Sequence, residues 1–381
     1  MISTNPNVAT ESRAIRRAAT FEDYEQIIDL QSRNGLGYKP YEQWRHLWVN
    51  NPAWRKQANW PIGYLLEASG KIVGYVGSIP LAYEFRGKEY TAITGYGVVA
   101  DPEYRAAMAP MIIRFSRLKA DIYMHTSCNP DSAKFHSVFR GLPVPSGAWD
   151  RTSFWITNYS GFMSSWLKSK GLPKAAAVAV APFASAAMRL KDVALVGGKL
   201  RRRQGSGASY QICVTTEFDD RFDEFWQKLR TRYSHRLLAV RSQEALNWHF
   251  KYALADQRAW IVTAENNSRL LAYAIFYRQD NKDLQLKRLR LIDFQTLDGD
   301  TTPLVDMLAW ALEHCRNSGI HMLETIGLRR DKQELVASLA PYHRQLPAWM
   351  FYYRGNSEEL RIGLEDPEVW DPSFYDGDAT L

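Results

Sequence analysis

The chain has 381 residues, of which 46% are hydrophobic and 23% charged, and its formal net charge at pH 7 is +7. This length and apolar content suit one large core or, more readily, two of ordinary size. The positive balance favours an anionic partner. Apart from Arg201-Arg202-Arg203, the basic residues are scattered, and no helix-turn-helix, zinc-finger or RNA-binding pattern accompanies them, which argues against nucleic acid.

The cysteines and the N-terminus limit the class of protein further. Cys128, Cys213 and Cys315 lie far apart and form no CxxC pair, so neither a disulfide framework nor a zinc site is expected, and no metal is predicted. Reduced thiols favour a cytoplasmic location. Residues 1–13 carry no apolar signal region and are interpreted as a disordered leader. No stretch reaches the roughly 18 apolar residues of a membrane span, so we expect a soluble protein.

Strand-like and helix-like patterns alternate from residue 14 to residue 157. The predicted order is a strand at AIRRA, helices at TFEDYEQIIDLQSRN and YEQWRHLWVNN, a hairpin of YLLEA and IVGYVGSIPLAYEF, and a strand at TAITGYGVV. It continues with a helix from about Arg105 to Lys119, a strand at DIYMHTSC, a helix at SAKFHSVFR and a closing strand at TSFWIT. The alternation indicates an α/β or α+β domain around a mixed sheet.

The composition changes over residues 158–209, which we interpret as a helical connector. Its apolar stretch and triple arginine, residues 175–203, leave open a weak contact with an anionic membrane surface. From residue 210 to residue 381 the first order returns, with a strand at QICVTT, helices at DDRFDEFWQKLRTRY and SQEALNWHFKYAL, and a hairpin of AWIVTAE and RLLAYAIFYR. A strand at RLRLIDFQTL, a helix at PLVDMLAWALEHCRNSG and a strand at IHMLETIG follow, and the acidic end WDPSFYDGDATL is predicted to be solvated.

Two matching hairpins indicate that the second half repeats the first. EASGKIVGY runs from Glu67 to Tyr75, and ENNSRLLAY runs from Glu265 to Tyr273, with the turn at the same place in both. Each follows a tryptophan-bearing helix. A shared element order together with matched positions favours two copies of one fold in tandem.

The first copy resembles the GNAT superfamily of acyl-CoA-dependent N-acyltransferases. The resemblance rests on AIRRATFEDYEQIIDL, EASGKIVGYVGSIP, GVVADPEYR and NPDSAKFHSVFRGL. The second copy resembles the same fold more faintly, and the tandem arrangement is similar to Fem-type aminoacyl-transferases and to relatives encoded with envelope polysaccharides. The resemblance implies two GNAT-like domains, acetyl-CoA or a longer acyl-CoA as co-substrate, and a small amine acceptor. An amino sugar or amino acid used in envelope or exopolysaccharide synthesis is the acceptor suggested by analogy.

The resemblance places the CoA pyrophosphate at the helix that follows GVVADPEYR. A helix N-terminus offers unpaired backbone N–H groups and a positive dipole end. The family pattern Arg/Gln-x-x-Gly-x-Gly/Ala begins here with Arg105, but Met108 stands at the first glycine position and Pro110 at the last small position. We expect the Met108 side chain to cover part of the space. The expected phosphate donors are the backbone amides of Ala106, Ala107, Met108 and Ala109.

Three interpretations of this loop stay open. It is a CoA site with altered lining, a degenerate loop in a non-catalytic binding protein, or the loop of a Fem-like or acyl-carrier-protein-dependent transferase, whose donor arm needs less phosphate binding. In the second copy, Asp293 on the preceding strand is a candidate base if it reaches a cleft between the copies. Three acids at the following helix should repel a pyrophosphate there: Asp298, Asp300 and Asp306.

N-acyl transfer removes a proton from the amine, stabilises an oxyanion and protonates the departing thiolate. The resemblance implies that backbone amides near Val98 and Val99 address the thioester. It also implies that Asn129 contacts the pantetheine, with helix capping as its alternative role. The position of the family's tyrosine falls on His136, a candidate catalytic acid. Because TAITGYGVV contains no carboxylate, Tyr96 or a water chain is the candidate base.

Overall fold

Two mixed β-sheets flanked by helices make up the computed structural model, which describes residues 14–57, 59–128, 136, 140–145, 150–171, 209–346 and 351–381. The strands of the first half are β1 Ile15–Ala18, β2 Gly63–Ala68, β3 Lys71–Phe85, β4 Lys88–Ala100, β5 Ile122–His125, β6 Leu142–Pro143 and β7 Arg151–Ile156. Those of the second half are β8 Gln211–Thr215, β9 Leu238–Ala239, β10 Ala259–Asn266, β11 Arg269–Arg278, β12 Arg288–Thr296, β13 Met322–Ile326, β14 Tyr342–Gln345 and β15 Tyr352–Gly355.

Helices pack beside both sheets. The α-helices of the first half are α1 Tyr24–Arg33, α2 Tyr41–Val49, α3 Pro52–Arg55, α4 Ala109–Ser116 and α5 Tyr159–Ser169. Those of the second half are α6 Asp220–Arg232, α7 Gln243–Ala255, α8 Thr302–Asn317, α9 Arg330–Leu339 and α10 Glu358–Gly363. The described residues also contain three short 3₁₀ helices: Phe21–Asp23, Pro102–Met108 and Pro367–Val369.

The sheets have the same internal plan. Sheet A has the strand order β1-β2-β3-β4-β5-β15-β6, with β9 paired to β3, and sheet B has the order β14-β7-β13-β12-β11-β10-β8. Each contains an antiparallel meander followed by one parallel pair, β4–β5 in sheet A and β12–β13 in sheet B. The predicted α/β class with two mixed-sheet copies is therefore confirmed.

The repeat is visible in the pairing register. In the hairpin β2–β3 the register shifts just before Glu67, and in β10–β11 it shifts just before Glu265, the matching position of the repeat. Tyr75 and Tyr273, which end the two similar segments, are both fully buried. An irregularity at the same point of both hairpins supports one fold used twice, because such shifts are built into a strand rather than incidental.

The two halves exchange one strand each. β7, from the first half, lies between β13 and β14 in sheet B, and β15, from the second half, lies between β5 and β6 in sheet A. The expected boundaries, 14–157 and 210–381, therefore do not coincide with the sheets, because TSFWIT pairs inside the second sheet rather than closing the first. The alternation of apolar and polar residues in a strand determines which of its faces is buried. It does not determine which strand it pairs with, because every backbone offers the same hydrogen-bond donors and acceptors.

One apolar core joins the halves. It contains Trp44 and Trp48 of α2 together with Trp226 of α6 and other side chains of both sheets. Between α2 and α7, Nε2 of His46 lies 2.9 Å from the carbonyl oxygen of Trp248, and Nε1 of Trp248 donates to the carbonyl of His46 at 3.1 Å. Nε1 of Trp48 also donates to the carbonyl of Ser78 at 2.8 Å. These tryptophans therefore serve packing between the copies.

The acidic end of the chain is not solvated, contrary to expectation. Its side chains from Trp370 to Asp376 are buried against both halves. The hydroxyl of Tyr83 donates to Asp376 at 3.1 Å, and burial raises the pKa of this carboxyl to about 6. The acidic residues of this segment led to the expectation of a solvated end. The segment is buried instead because Trp370, Phe374 and Tyr375 fill part of the common core, and burial of their apolar surface is favourable.

A buried ion pair connects the sheets. Arg241 follows β9, which pairs with β3 of sheet A, and its Nε and Nη2 atoms donate to Asp293 of β12 at 2.8 and 3.1 Å. Both side chains are fully buried. Burial alone would raise the pKa of Asp293, but the charge and hydrogen bonds of Arg241 hold it below its ordinary value. Asp293 is thus a paired structural anion, and its expected role as a base at a cleft is wrong.

Part of the chain lies outside the described residues. The predicted leader 1–13 is among it, as is most of the predicted connector, of which residues 158–171, with α5, and residue 209 are described. The hypothesis of membrane-surface contact through residues 175–203 falls there entirely. Among the described helices, none combines the length and the hydrophobicity needed to cross a bilayer.

We expect Arg241→Met to lower the free energy of unfolding by about 3–5 kcal/mol, because it leaves the Asp293 carboxylate buried without its partner. The control is Arg330→Met, which removes an exposed pair with Glu334 on α9 and should change stability by less than about 1 kcal/mol. Urea unfolding followed by tryptophan fluorescence measures both. Equal losses in the two variants would contradict a stabilising role for the buried pair.

Candidate active site

β4 and β5 separate partway along their length. They pair in parallel at three positions only, Ala92 with Ile122, Ile93 with Tyr123 and Thr94 with Met124. On its other edge, β4 stays paired with β3 as far as Ala100. Within the described residues, no strand pairs with β4 on the β5 side beyond Thr94. The first copy therefore has a wedge-shaped gap with an open backbone edge.

A bulge in β4 lies at this gap. Tyr75 of β3 faces Val99 and Gly77 faces Tyr96, so two residues of β4, Gly97 and Val98, oppose a single residue of β3. Gly97 has φ +59°, in the left-handed region that glycine adopts at low cost. Bulges redirect the backbone and are common beside active sites. This one leaves the Val98 side chain 41% exposed, which is high for a valine in a central strand.

The helix after β4 begins earlier than expected. A 3₁₀ helix spans Pro102–Met108 and continues directly into α4. In a 3₁₀ helix each N–H bonds the carbonyl three residues back, so the amides of Ala106, Ala107, Met108 and Ala109 are used inside the helix. Pro102, whose fixed φ and missing N–H favour the first helical position, accounts for the early start of the helix. The expected role of these four amides as phosphate donors stays a prediction.

Met108 does not cover the loop. Its side chain is 3% exposed and belongs to the apolar cluster that contains Ile112 and Phe115 of α4. A Cβ added to Gly74 would lie 2.6 Å from the Met108 sulfur, so the thioether fills the space over that glycine. The expectation that this side chain occupies the phosphate space is therefore corrected. Arg105 and Ala106, by contrast, are exposed.

The acid at the entrance of the loop is neutralised. Asp101 accepts two hydrogen bonds from Arg33 of α1, at 2.9 and 2.8 Å, and one from Asn34 at 2.9 Å. These bonds, above all those of Arg33, hold the pKa of Asp101 below its ordinary value. The carboxylate is thus turned toward α1 and compensated by a cation, which reduces its repulsion of an anion at the helix.

Tyr96 lies in β4 next to the bulge and packs edge-on against Trp48, with ring centroids 6.3 Å apart. Burial, and to a smaller extent nearby Tyr24, raises the pKa of its hydroxyl. The phenol therefore stays protonated and is a weaker acid than a free tyrosine, because burial disfavours the phenolate. This environment argues against Tyr96 as the base and leaves its hydroxyl as a hydrogen-bond donor.

His136 lies beside β5 and β15. Its ring stacks on Tyr352 with centroids 4.1 Å apart, and it is 2% exposed. Burial, assisted by the neighbouring His125, lowers its pKa to about 3. The imidazole is neutral at pH 7, so the structure does not favour His136 as the expected catalytic acid. Asn129, the expected pantetheine contact, lies outside the described residues.

The end of the chain closes the apex of the gap. Asp378 accepts hydrogen bonds from the backbone N–H of Thr126 at 3.1 Å and from the hydroxyl of Thr94 at 3.4 Å. It also bonds Ser127 and faces His125, with 3.7 Å between Oδ2 and Nε2. Sequence reasoning missed this carboxylate, because nothing in the local pattern connects the last residues of the chain with the end of β5.

No family model and no curated protein matches the sequence. Solved structures do match its fold. N-myristoyltransferase of Saccharomyces cerevisiae with bound myristoyl-CoA shares 15% identity over 93% of this chain and 81% of that one, with a TM-score of 0.54. GCN5-related N-acetyltransferases (GNATs) from Anabaena variabilis and Kribbella flavida share 12% and 10% identity over 90% of this chain and 72% and 71% of theirs, with TM-scores of 0.52 and 0.51.

The chain has the GNAT fold. The expectation drawn from the sequence is confirmed at this level, and the match extends over both sheets rather than over the N-terminal half alone, since it covers nine-tenths of the chain. The gap between β4 and β5 thus lies in the first of two GNAT-like copies.

In the second GNAT-like copy the corresponding gap is filled. β12 and β13 pair over Arg288–Leu291 and then separate, as β4 and β5 do. Lys332 of α9 reaches into this region, where its Nζ donates to the carbonyl of Phe294 at 2.9 Å and to Asp371 at 2.7 Å. A buried backbone carbonyl that would otherwise need a partner is therefore satisfied from within. The expectation that the second copy does not take the donor stays a prediction.

Gly97→Ala should destabilise the protein more than Gly70→Ala, although both glycines have positive φ. The backbone term alone costs about 1–2 kcal/mol at each site. Nothing lies within 4 Å of a Cβ at Gly70, whereas a Cβ at Gly97 would clash with the buried amide of Gln31. Thermal unfolding of the two variants measures the difference. A loss at Gly97 no larger than at Gly70 would show that the bulge is not sterically fixed.

Proposed function

We propose that the protein is an acyl-CoA-dependent N-acyltransferase that binds its donor in the first GNAT-like copy. The observation that carries the proposal is the open edge of β4 beyond Thr94, beside the diverging end of β5. The pantetheine arm contains two amide groups, and an extended chain with amides can pair with an exposed strand edge. Yeast N-myristoyltransferase, which has this fold, was solved with bound myristoyl-CoA, and this supports an acyl-CoA as donor.

The thioester is proposed to lie at the bulge. At Gly97 and Val98 the backbone leaves the regular ladder with β3, so the amides there are in a position to serve a ligand. In this proposal the N–H groups of Val98 and Val99 hold the thioester oxygen as its negative charge develops. The exposed Val98 side chain offers apolar contact to the arm or the acyl group.

The pyrophosphate is proposed to lie beside Arg105, with Ala106, Ala107, Met108 and Ala109 as backbone donors. Their amides are now used in a 3₁₀ helix, whose hydrogen bonds have poorer geometry than those of an α-helix. Replacing the carbonyl acceptors of these amides with phosphate oxygens therefore costs less free energy than unwinding a turn of α-helix would. The buried Met108 anchors the end of the segment, so that the rearrangement is confined to one turn.

The roles in proton transfer are proposed from the surroundings of Tyr96 and His136. The protonated Tyr96 donates a hydrogen bond to the departing thiolate, while solvent water accepts the proton of the amine and returns a proton to the thiolate. His136 is assigned no acid role, because burial keeps it neutral. The acceptor is a small amine, for which amino sugars and amino acids are the first candidates to test.

Binding of acetyl-CoA and of myristoyl-CoA, measured by isothermal titration calorimetry, tests the donor. We expect saturable binding of at least one of them and an affinity about tenfold lower or weaker still in Arg105→Ala, because a charge-assisted bond to phosphate contributes about 1.5–3 kcal/mol. The control is Arg316→Ala, an exposed arginine on α8 of the second copy, which should bind like the wild type. A folded wild-type protein that binds neither donor at millimolar concentration would remove the CoA proposal.

A carrier-bound donor is the second candidate. The use of the Ala106–Ala109 amides inside the 3₁₀ helix favours it, because an acyl-carrier protein presents its phosphopantetheine with a single phosphodiester and no pyrophosphate. The net charge of +7 also suits an acidic carrier.

Turnover distinguishes the two donors. The same acyl group is offered on CoA and on an acyl-carrier protein, with a panel of amino sugars and amino acids as acceptors, and the release of free thiol is followed. Under the first proposal the CoA ester reacts faster, and Arg105→Ala slows it. Faster reaction of the carrier ester, unaffected by Arg105→Ala, would select the second candidate.

A further inference from the structure

Three side chains at the end of β5 bring one ligand atom each to a common point. Nδ1 of His125 lies 3.2 Å from Nε2 of His136, and the sulfur of Cys128 lies 3.1 Å from the first nitrogen and 2.9 Å from the second. All three atoms lie within 4.8 Å of one another. We propose that His125, Cys128 and His136 form a binding site for a transition-metal ion, with Zn²⁺ as the expected ion.

The spacing suits one ion. Ligands around tetrahedral zinc, at about 2.0–2.1 Å for nitrogen and 2.3 Å for sulfur, are separated by about 3.3–3.6 Å. The three contacts, at 3.2, 3.1 and 2.9 Å, are about 0.1 to 0.7 Å shorter than this, so the side chains move outward by less than about 1 Å to make room for the ion. Two imidazoles and a thiolate are ligands that zinc and neighbouring first-row metals prefer over calcium or magnesium.

The surroundings hold the ligands in place. Cys128 and His136 are 3% and 2% exposed. The ring of His136 is stacked on Tyr352 of β15, a strand contributed by the other half of the chain. This burial distinguishes the cluster from an exposed group of acidic residues. It also argues against Cys128 as a nucleophile, because a substrate must be able to reach a nucleophilic cysteine.

The second ring nitrogen of His125 faces a carboxylate. Nε2 lies 3.7 Å from Oδ2 of Asp378, and Asp378 is itself fixed by the backbone of Thr126 and the hydroxyl of Ser127. A carboxylate on this side favours the proton on Nε2 and leaves the Nδ1 lone pair directed at Cys128 and His136. Metal-binding histidines are commonly oriented in this way.

The proposed site has three protein ligands, which leaves a fourth position for water or another small ligand. On binding, the thiol of Cys128 releases its proton to solvent and the ion takes the thiolate. No electron is transferred. The absence of a CxxC pair led to the expectation of no metal, whereas the proposed ligands come from an H-x₂-C segment and a histidine eight residues further on. The inference does not require the chain to bind acyl-CoA.

Metal uptake by the full-length chain, without a histidine tag, tests the site. Metal-free protein is titrated with ZnCl₂, followed by calorimetry, and with CoCl₂, followed by absorption. We expect one equivalent per chain, a thiolate-to-cobalt charge-transfer band, and a higher unfolding temperature with Zn²⁺. A folded wild-type protein that takes up no metal would overturn the proposal.

Variants locate the ion. Cys128→Ser should lose the charge-transfer band, and His136→Ala should bind at least about tenfold more weakly, while Cys213→Ser, a cysteine on β8, should behave like the wild type. Asp378→Asn keeps the three ligands and should weaken binding about 10- to 100-fold. Circular dichroism confirms that each variant is folded. A band that persists in Cys128→Ser, or that disappears in Cys213→Ser, would place the metal elsewhere and refute the assignment.

Discussion

Three residue pairs hold β4 to β5, and the arrangement of the N-terminal half follows from the point where that pairing stops. A central strand that loses its neighbour exposes backbone groups that need another partner. The bulge at Gly97 and Val98 turns the strand at this point, and Asp378 closes the apex by bonding Thr94 and Thr126. The exposed backbone groups of β4 are therefore groups with which a bound ligand can form hydrogen bonds.

The second copy shows the alternative solution to the same constraint. There, Lys332 supplies a cation and an N–H donor to the Phe294 carbonyl, and Asp371 balances its charge. Both groups are buried, so the gap is closed by a permanent internal contact rather than left for a ligand. Two copies with nearly the same backbone plan therefore differ at this point in a few polar side chains.

The halves are coupled by more than surface contact. Each sheet borrows a strand from the other half of the chain, and the buried pair of Arg241 and Asp293 links β9 to β12. The final residues run from the common core to the end of β5, where Asp378 faces His125. Because Tyr352 of the borrowed strand also stacks on His136, the surroundings of the gap depend on both halves being folded. Neither copy has a complete sheet of its own.

The sequence by itself determined the α/β class, the repeat, the matching hairpins that end in a tyrosine and the position of the strand that carries the bulge. These features depend on residue periodicity and turn residues, which act over a few neighbouring positions. Pro102 also marked the true start of the helix, although the family pattern drew attention to Arg105 instead. Only the tertiary structure decided which sheet receives β7 and β15, that the acidic end is buried, and that Asp293 meets Arg241. It alone brought together His125, Cys128 and His136. Strand pairing uses backbone groups common to all residues, and contacts between distant side chains form only once the core is packed, so no local pattern encodes them.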